Sequence, residues 1–474
     1  MKENLFDEFS PVSKEEWIQL IIKDLKGKDF EKTVMSRTKD DLRISPFYNH
    51  DDSKDTLWLR DFRHLVNPPS GIPGLPPRIW SNVFANDASD ERQGNKEILL
   101  ALQNGADALR LDLSGDEDLD ILLQEVEVQY IQLFVCPKGD PVLVLKQLFS
   151  WVEKKQIDPN HLNGGILWDG FTRVLIKKSD KNKVIQQAVI LMDQASGFPN
   201  FKTLAIDSSH YHNSGASTVQ ELSYALAGFI ELMDGLTSAG LPPEEIIGKT
   251  MIWTAIGSDY FLEIAKVKSI RILFHQLVGL YGSGLALVDI FIYSETSLWT
   301  KTNMDIHSNM IRNTVESMAA VLGGCNALQV IPHDVVSVGG NSFSKRMACN
   351  ISNIIKDECY LDKVLDPVAG SYFLENMINQ LFDAVQSQLE QIESQGGWWN
   401  LYESCEIQKQ VKEKRAQSMN SILSKEKIKI GVNKYLINDE MSREKITEPI
   451  EKENFQLLPT RESMSVENLK NHEA

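Results

Sequence analysis

Between about residue 100 and residue 370, short apolar runs alternate with longer stretches whose apolar residues recur every third or fourth position. Strand-like runs fall at Ala108–Leu113, Tyr130–Cys136, Gly165–Trp168, Leu204–Asp207, Met251–Ile256, Leu287–Tyr293, Ala327–Ile331 and Val364–Asp366. The intervals between them read as helices. Asp305–Leu322 repeats Ile306, Met310, Ile311, Val315, Met318, Ala319 and Leu322 before Gly323-Gly324, and Phe343–Ile355 repeats Met347, Ile351 and Ile354. About eight strand-helix units is the count that closes a TIM (β/α)8 barrel, with a doubly wound open sheet as the alternative. In either architecture the chemistry sits in the loops at the carboxyl ends of the strands.

One such loop stands out. In Lys202–Ser217, the run Leu204, Ala205, Ile206 leads into Asp207–Ser214, which carries hydroxyls, two imidazoles and an amide. A long helix follows, with Val219, Leu222, Ala225, Leu226, Phe229, Ile230 and Met233 on its apolar face up to Gly235. His210 and His212 form an HxH pair, the spacing that metal ligands use. A barrel metal site would want such a pair on its first strand and more histidines on later ones, whereas here the pair follows the fourth strand in this count and His275 falls within a helical pattern, so metal is the lesser reading.

The two ends differ from the middle. Residues 1–66 read as an N-terminal extension. Ser13 and Glu16 form a capping box that opens a helix with Trp17, Leu20, Ile21 and Leu25 on one face. Phe47, Tyr48, Leu57 and Trp58 add apolar surface with no barrel unit to bury it. The proline-rich run Asn67–Pro77 reads as a linker into the barrel, assigned to residues 67–372. A helical segment, 373–437, carries Met377, Leu381, Val385, Leu389 and Ile392, and 438–474 is expected to be mostly a flexible tail with a short anchor at Phe455, Leu457 and Leu458.

Composition narrows the function classes. A formal charge of -17 leaves no basic stripe for nucleic acid. The five cysteines, with no CxxC spacing, suit free thiols in a reducing compartment. No run approaches the ~20 apolar residues of a membrane span, and the opening stretch lacks a signal pattern, so a cytoplasmic protein is expected. GKT at Gly248–Thr250 lacks the upstream glycine of a P-loop, Pro243 standing there, and the glycines of 279–284 read as a helix stop.

Four stretches carry a family resemblance: LFDEFSPVSKEEWIQLIIKDLKG, IGSDYFLEIAKVKSIRILFHQLVG, CNALQVIPHD and VLDPVAGSYFLENMINQL. They resemble the barrel subunits of methylmalonyl-CoA mutase over Asn4 to Tyr435, and the opening stretch resembles the bacterial small subunits in particular. The resemblance implies a TIM barrel for acyl-CoA that works with adenosylcobalamin. It implies substrate-binding positions at Asn163, Arg173 and His210, with the histidine and arginine of the catalytic members kept and a glutamine replaced by Asn163. The tyrosine that guides substrate in those members falls at Ala85, and no Asp-x-His-x-x-Gly of a cobalamin domain is present. The family therefore implies a non-catalytic small subunit whose extension wraps a large subunit, the partner that binds substrate and adenosylcobalamin; this chain is expected to bind no metal and no cofactor of its own. A catalytic barrel served by a separate cobalamin-binding chain, and a scaffold without enzymatic role, are the alternatives. Trp168 and Trp253 fall on strand positions, and an inward indole would plug an eight-stranded bore.

Overall fold

The computed structural model describes residues 12–62, 76–282, 289–436 and 450–473. Its centre is a ring of parallel strands: β1 (Ser81–Asn86), β2 (Ala108–Leu113), β3 (Gln132–Pro137), β4 (Asn163–Ile166), β5, β6 (Thr250–Ile256), β7 (Phe291–Thr296) and β8 (Ala327–Gln329). Strand β5 comes in two pieces around Thr203; Phe201–Lys202 pairs with β4 and Leu204–Asp207 with β6, so this one segment closes the ring. The ring is the expected α/β barrel rather than an open sheet.

The expected strand list needs two corrections. Ser81–Asn86 is the first barrel strand, hidden in the sequence by Asn82 and Asn86. Asn82 is buried because its amide has partners, donating to the Gly105 carbonyl at 3.2 Å and the Cys349 carbonyl at 3.1 Å. Val364–Asp366, by contrast, is loop. The count of eight stands, but Leu204–Asp207 belongs to the fifth strand, not the fourth.

Alternation along the strands separates two cores. Val83, Ala108, Phe134, Cys136, Leu167, Ala205, Met251, Trp253, Tyr293 and Ala327 form the interior cluster, apart from the larger one between strands and helices. Tyr293 meets Phe134 edge-on at 4.9 Å and Trp253 at 6.5 Å, and the Arg110 guanidinium lies 5.3 Å from the Trp253 ring. The bore is therefore filled by aromatic rings and one cation. Of the two tryptophans, only Trp253 points inward; Trp168 belongs to the outer core, under Gly170 and Val184. Gly164 in β4 has φ +131°, and a Cβ there would stand 2.0 Å from the Leu133 carbonyl oxygen, so the base of this strand admits glycine alone.

The C-terminal segment is built onto the barrel. Helix Tyr372–Ser394 packs on helices Thr218–Ser238 and Tyr260–Gly279, and Trp398 is fully buried against Tyr211 and Tyr402. Much of the extension packs on the same chain. Trp58 Nε1 donates to Asn379 at 2.7 Å, the Arg43 backbone exchanges hydrogen bonds with Gln380, and Asp40 accepts from the backbone of Thr218 and Val219 at the start of the long helix. Helix Lys14–Asp24 differs: it has no buried residue, and Leu20 is 56% exposed.

The expectation of a mostly flexible tail fails for residues 450–473. Phe455, Leu457 and Leu458 anchor it as expected, but the segment continues in packed form to the helix Met464–Glu473. Its few large apolar residues misled the reading, because ion pairs do much of the fastening. Residues 437–449 and most of the Asn67–Pro77 run lie outside the described residues.

Because Trp253 supplies most of the indole volume in the bore, Trp253→Ala should lower unfolding stability by about 3–5 kcal/mol. Urea denaturation followed by circular dichroism checks this; a shift under about 1 kcal/mol would mean the bore is not packed as described.

Candidate functional site at the barrel mouth

The carboxyl ends of β4 to β7 gather an unusual density of buried polar groups. Helix Ser209–Asn213 begins directly after β5 and places His210, His212 and Asn213 over the ring, all buried. Asp207 fixes the turn, accepting from Ser209 Oγ at 2.6 Å and from the His210 backbone at 3.1 Å.

His212 belongs to a fully buried charge network. Its Nδ1 lies 3.2 Å from Glu221 and its Nε2 2.8 Å from Ser297 Oγ. Glu221 also accepts from Ser208 Oγ at 3.0 Å, Thr254 Oγ1 at 3.2 Å and Lys266 Nζ at 3.1 Å. Burial pushes the Glu221 carboxyl up, but Lys266 and His212 outweigh it and hold it below the ordinary value. Lys266 in turn reaches Glu263 at 2.7 Å and donates to the Ala255 carbonyl at 2.6 Å. A second buried pair, Lys301 and Glu316 at 2.6 Å, secures the loop after β7. Every charge here has partners, which describes a structural network rather than an exposed acid-base pair. No group of three His, Cys, Asp or Glu among the described residues could hold a metal ion.

On the axis, Arg110 reaches Asp112 at 2.8 Å, Glu295 at 3.2 Å and Gln329 at 3.1 Å. Burial pushes the Glu295 carboxyl up to about 7, against the pull of Arg110 and with the help of the Asp207 charge. Asp169 is likewise pushed up to about 7 by burial and by Asp207.

The positions singled out in the sequence do not come together. Ala85 lies next to Arg110 across the β1–β2 ladder, in the alternation that faces the bore, near the mouth. Arg173 sits in helix Gly170–Val174 after β4 and donates to the Pro137 carbonyl at 3.2 Å. Asn163 opens β4 at the opposite end of the strand, with its amide on the His161 carbonyl at 3.1 Å, so it does not share the mouth with the other two. His210 is at the mouth but covered: its Nε2 lies 2.8 Å from the Leu457 carbonyl. A carbonyl only accepts, so Nε2 carries a proton, and burial lowers the ring's pKa below its ordinary value.

Leu457 belongs to a strap that crosses the mouth. Its N–H donates to the Leu175 carbonyl at 2.9 Å, Thr460 N to Asn213 at 2.8 Å and Glu462 N to Trp299 at 3.0 Å. Glu462 is buried between Lys429 at 2.6 Å and Lys427 at 2.8 Å; burial alone would raise its carboxyl, but the two ammonium groups hold it at about 2. The sequence reading expected the anchor at Phe455, Leu457 and Leu458 but missed the rest of this strap and the Glu221 network. The signal available was charge inside apolar helices: Glu221, Glu263 and Lys266 all interrupt otherwise hydrophobic stretches.

An α/β barrel with its polar residues concentrated at the carboxyl ends of the strands is the frame of a barrel enzyme or of a relative that has lost its site. Comparison with known proteins supplies the family. The family model described as methylmalonyl-CoA mutase matches residues 108–472. The chain is similar to the methylmalonyl-CoA mutase small subunit of Porphyromonas gingivalis, 32% identical, over 94% of this chain and 73% of that one. It is also 27% identical to the methylmalonyl-CoA mutases of Escherichia coli and of Bos taurus mitochondria, covering 64% and 61% of their lengths. The chain belongs to the methylmalonyl-CoA mutase family, and it spans under two thirds of the length of these last two relatives.

The Glu295 carboxyl gives a pH signature. Its folded pKa lies above that of an unfolded glutamate, about 4.3, so its contribution to stability is full below that value and is lost as pH rises through about 7. Glu295→Gln should flatten this part of the stability profile, read as urea midpoints at pH 5 and pH 7.5. An unchanged profile would mean that Glu295 is ionised throughout.

Proposed function

We propose that this chain is the small, non-catalytic subunit of a heterodimeric methylmalonyl-CoA mutase. In this reading it supports the interconversion of methylmalonyl-CoA and succinyl-CoA carried out by a large subunit. The family uses adenosylcobalamin, and the large subunit is the one that would hold it. On this chain the face where a corrinoid would have to lie is crossed by residues 457–463. The group does not fit there, so no chemical step is assigned to this barrel. A role in propionate metabolism in the cytoplasm follows from the same reading.

The observation that carries the proposal is the covered His210. A thioester-binding histidine has to present its N–H to substrate, and here that N–H is spent on the Leu457 carbonyl beneath the chain's own strap. The position of the guide tyrosine is Ala85, and the bore that a CoA chain would thread is filled by Trp253, Tyr293 and Phe134. A catalytic barrel with a detached cobalamin domain would need all three features reversed.

His210→Ala in the reconstituted pair should leave turnover within a few-fold of wild type. A fall of about a hundredfold or more, the scale of losing a positioned acid-base group, would place a working site in this chain.

Partner binding is assigned to the part of the extension that its own chain leaves uncovered. The Trp17 and Phe47 rings meet at 5.2 Å, tilted by 35°, with Leu20 one turn further along the helix; Leu20 is 56% and Phe47 40% exposed. Leu20→Lys combined with Phe47→Lys should weaken co-purification with the large subunit at least about tenfold, the scale of losing an apolar anchor in an interface. Unchanged assembly would assign the extension to self-packing alone.

A further inference from the structure

Outside the strand ring, between the loops that follow β3 and β4, lies a cavity of about 460 Å³. Trp168, Gly170 and Val184 line its apolar part. Its cations are Lys138, Arg173, Lys177, Lys178 and Lys183, and its only carboxylate is Asp140. The local excess is thus four positive charges, in a chain whose formal charge is -17.

That carboxylate is already engaged, since Asp140 accepts from the Val142 backbone at 3.0 Å to cap helix Pro141–Lys154. Lys138 donates to the Asp87 carbonyl. Arg173 is half-buried and donates only to the Pro137 carbonyl at 3.2 Å and Cys136 Sγ at 3.7 Å. Among the described residues no ion pair joins Arg173, Lys177, Lys178 or Lys183 to an acid, although Lys181 next door is paired with Glu231. At the mouth the buried Lys266, Lys301 and Lys429 each have a carboxylate within 3.1 Å, whereas the half-buried Arg173 has none among the described residues. Like charges held around a concave site repel unless an anion joins them, and a guanidinium with free N–H groups matches phosphoryl oxygens. The volume suits a small molecule, roughly 300–1,000 Å³ being usual for such sites.

We propose that this cleft binds a diphosphate group of a soluble nucleotide, with Arg173 at its floor and Lys177, Lys178 and Lys183 at its rim. Two neighbouring phosphoryl groups carry enough charge to engage several cations at once, as a single carboxylate does not. The site is outside the bore, so it stands or falls separately from the subunit assignment.

The test is titration calorimetry on the full chain in low-salt buffer with inorganic pyrophosphate, ADP, coenzyme A and inorganic phosphate. Pyrophosphate and ADP should bind saturably and more tightly than phosphate, and added salt should weaken them. The exposed pair Lys177→Glu/Lys178→Glu should lose at least about tenfold in affinity, the scale of two charge-assisted contacts, while Lys96→Glu on a distant helix should lose none. Coenzyme A binding like ADP would show that any diphosphate carrier is accepted; ADP alone would restrict the site to free nucleotides. No binding of pyrophosphate or ADP, binding of coenzyme A without them, or affinity indifferent to the Lys177/Lys178 change would overturn the proposal.

Discussion

The architecture of the mouth depends on keeping buried charge paired. Glu221 and Lys266 are both fully inside, and the pair holds together helix Thr218–Ser238, strand β6 through the Ala255 carbonyl, and His212 with the loop after β7. A buried ion pair of this kind adds little net stability over an apolar pair, yet removing one partner typically costs about 3–5 kcal/mol, because the other charge is left stranded. The pair therefore acts as a constraint on position. It commits His212 and Ser297 to structural bonds and leaves the mouth with no free acid-base group among them.

The strap completes what the network begins. Its backbone bonds to Leu175, Asn213 and Trp299 tie it to the segments that follow β4, β5 and β7, and Glu462 is clamped by two lysines from the segment after helix Glu406–Leu423. One consequence is chemical: the proton on His210 Nε2 has an intramolecular acceptor. Another is topological, since the same end of the barrel that would face a cofactor is occupied by the chain itself. The filled bore below, with Trp253 against Arg110 and Tyr293, closes the other route to the site.

Much of the barrel was legible in the sequence, because parallel strands buried on both faces read as continuous apolar runs. The failures have specific causes. Asn82 and Asn86 disguised β1, because a buried amide with bonded partners looks in sequence like a loop residue. The orientation of Trp168 was undecidable from alternation alone, since its strand ends at Ile166 and the residue follows in a turn toward the helix layer. Among the residues singled out, His210 and Arg173 lie in the short helices that follow β5 and β4, whereas Asn163 falls at the base. The strap was misread because its hold is ionic: Arg461 with Glu467, and Glu462 with Lys427 and Lys429, are invisible to a reading that looks for apolar periodicity.

The claim on which the account rests is that residues 455–463 stay closed over His210 whether or not acyl-CoA is present. Hydrogen–deuterium exchange of that peptide, read by mass spectrometry in the assembled pair, tests it directly. The account predicts slow exchange, unchanged by saturating methylmalonyl-CoA. Rapid exchange of the Leu457 and Thr460 amides, or opening when the thioester is added, would contradict it and return a working mouth to this barrel.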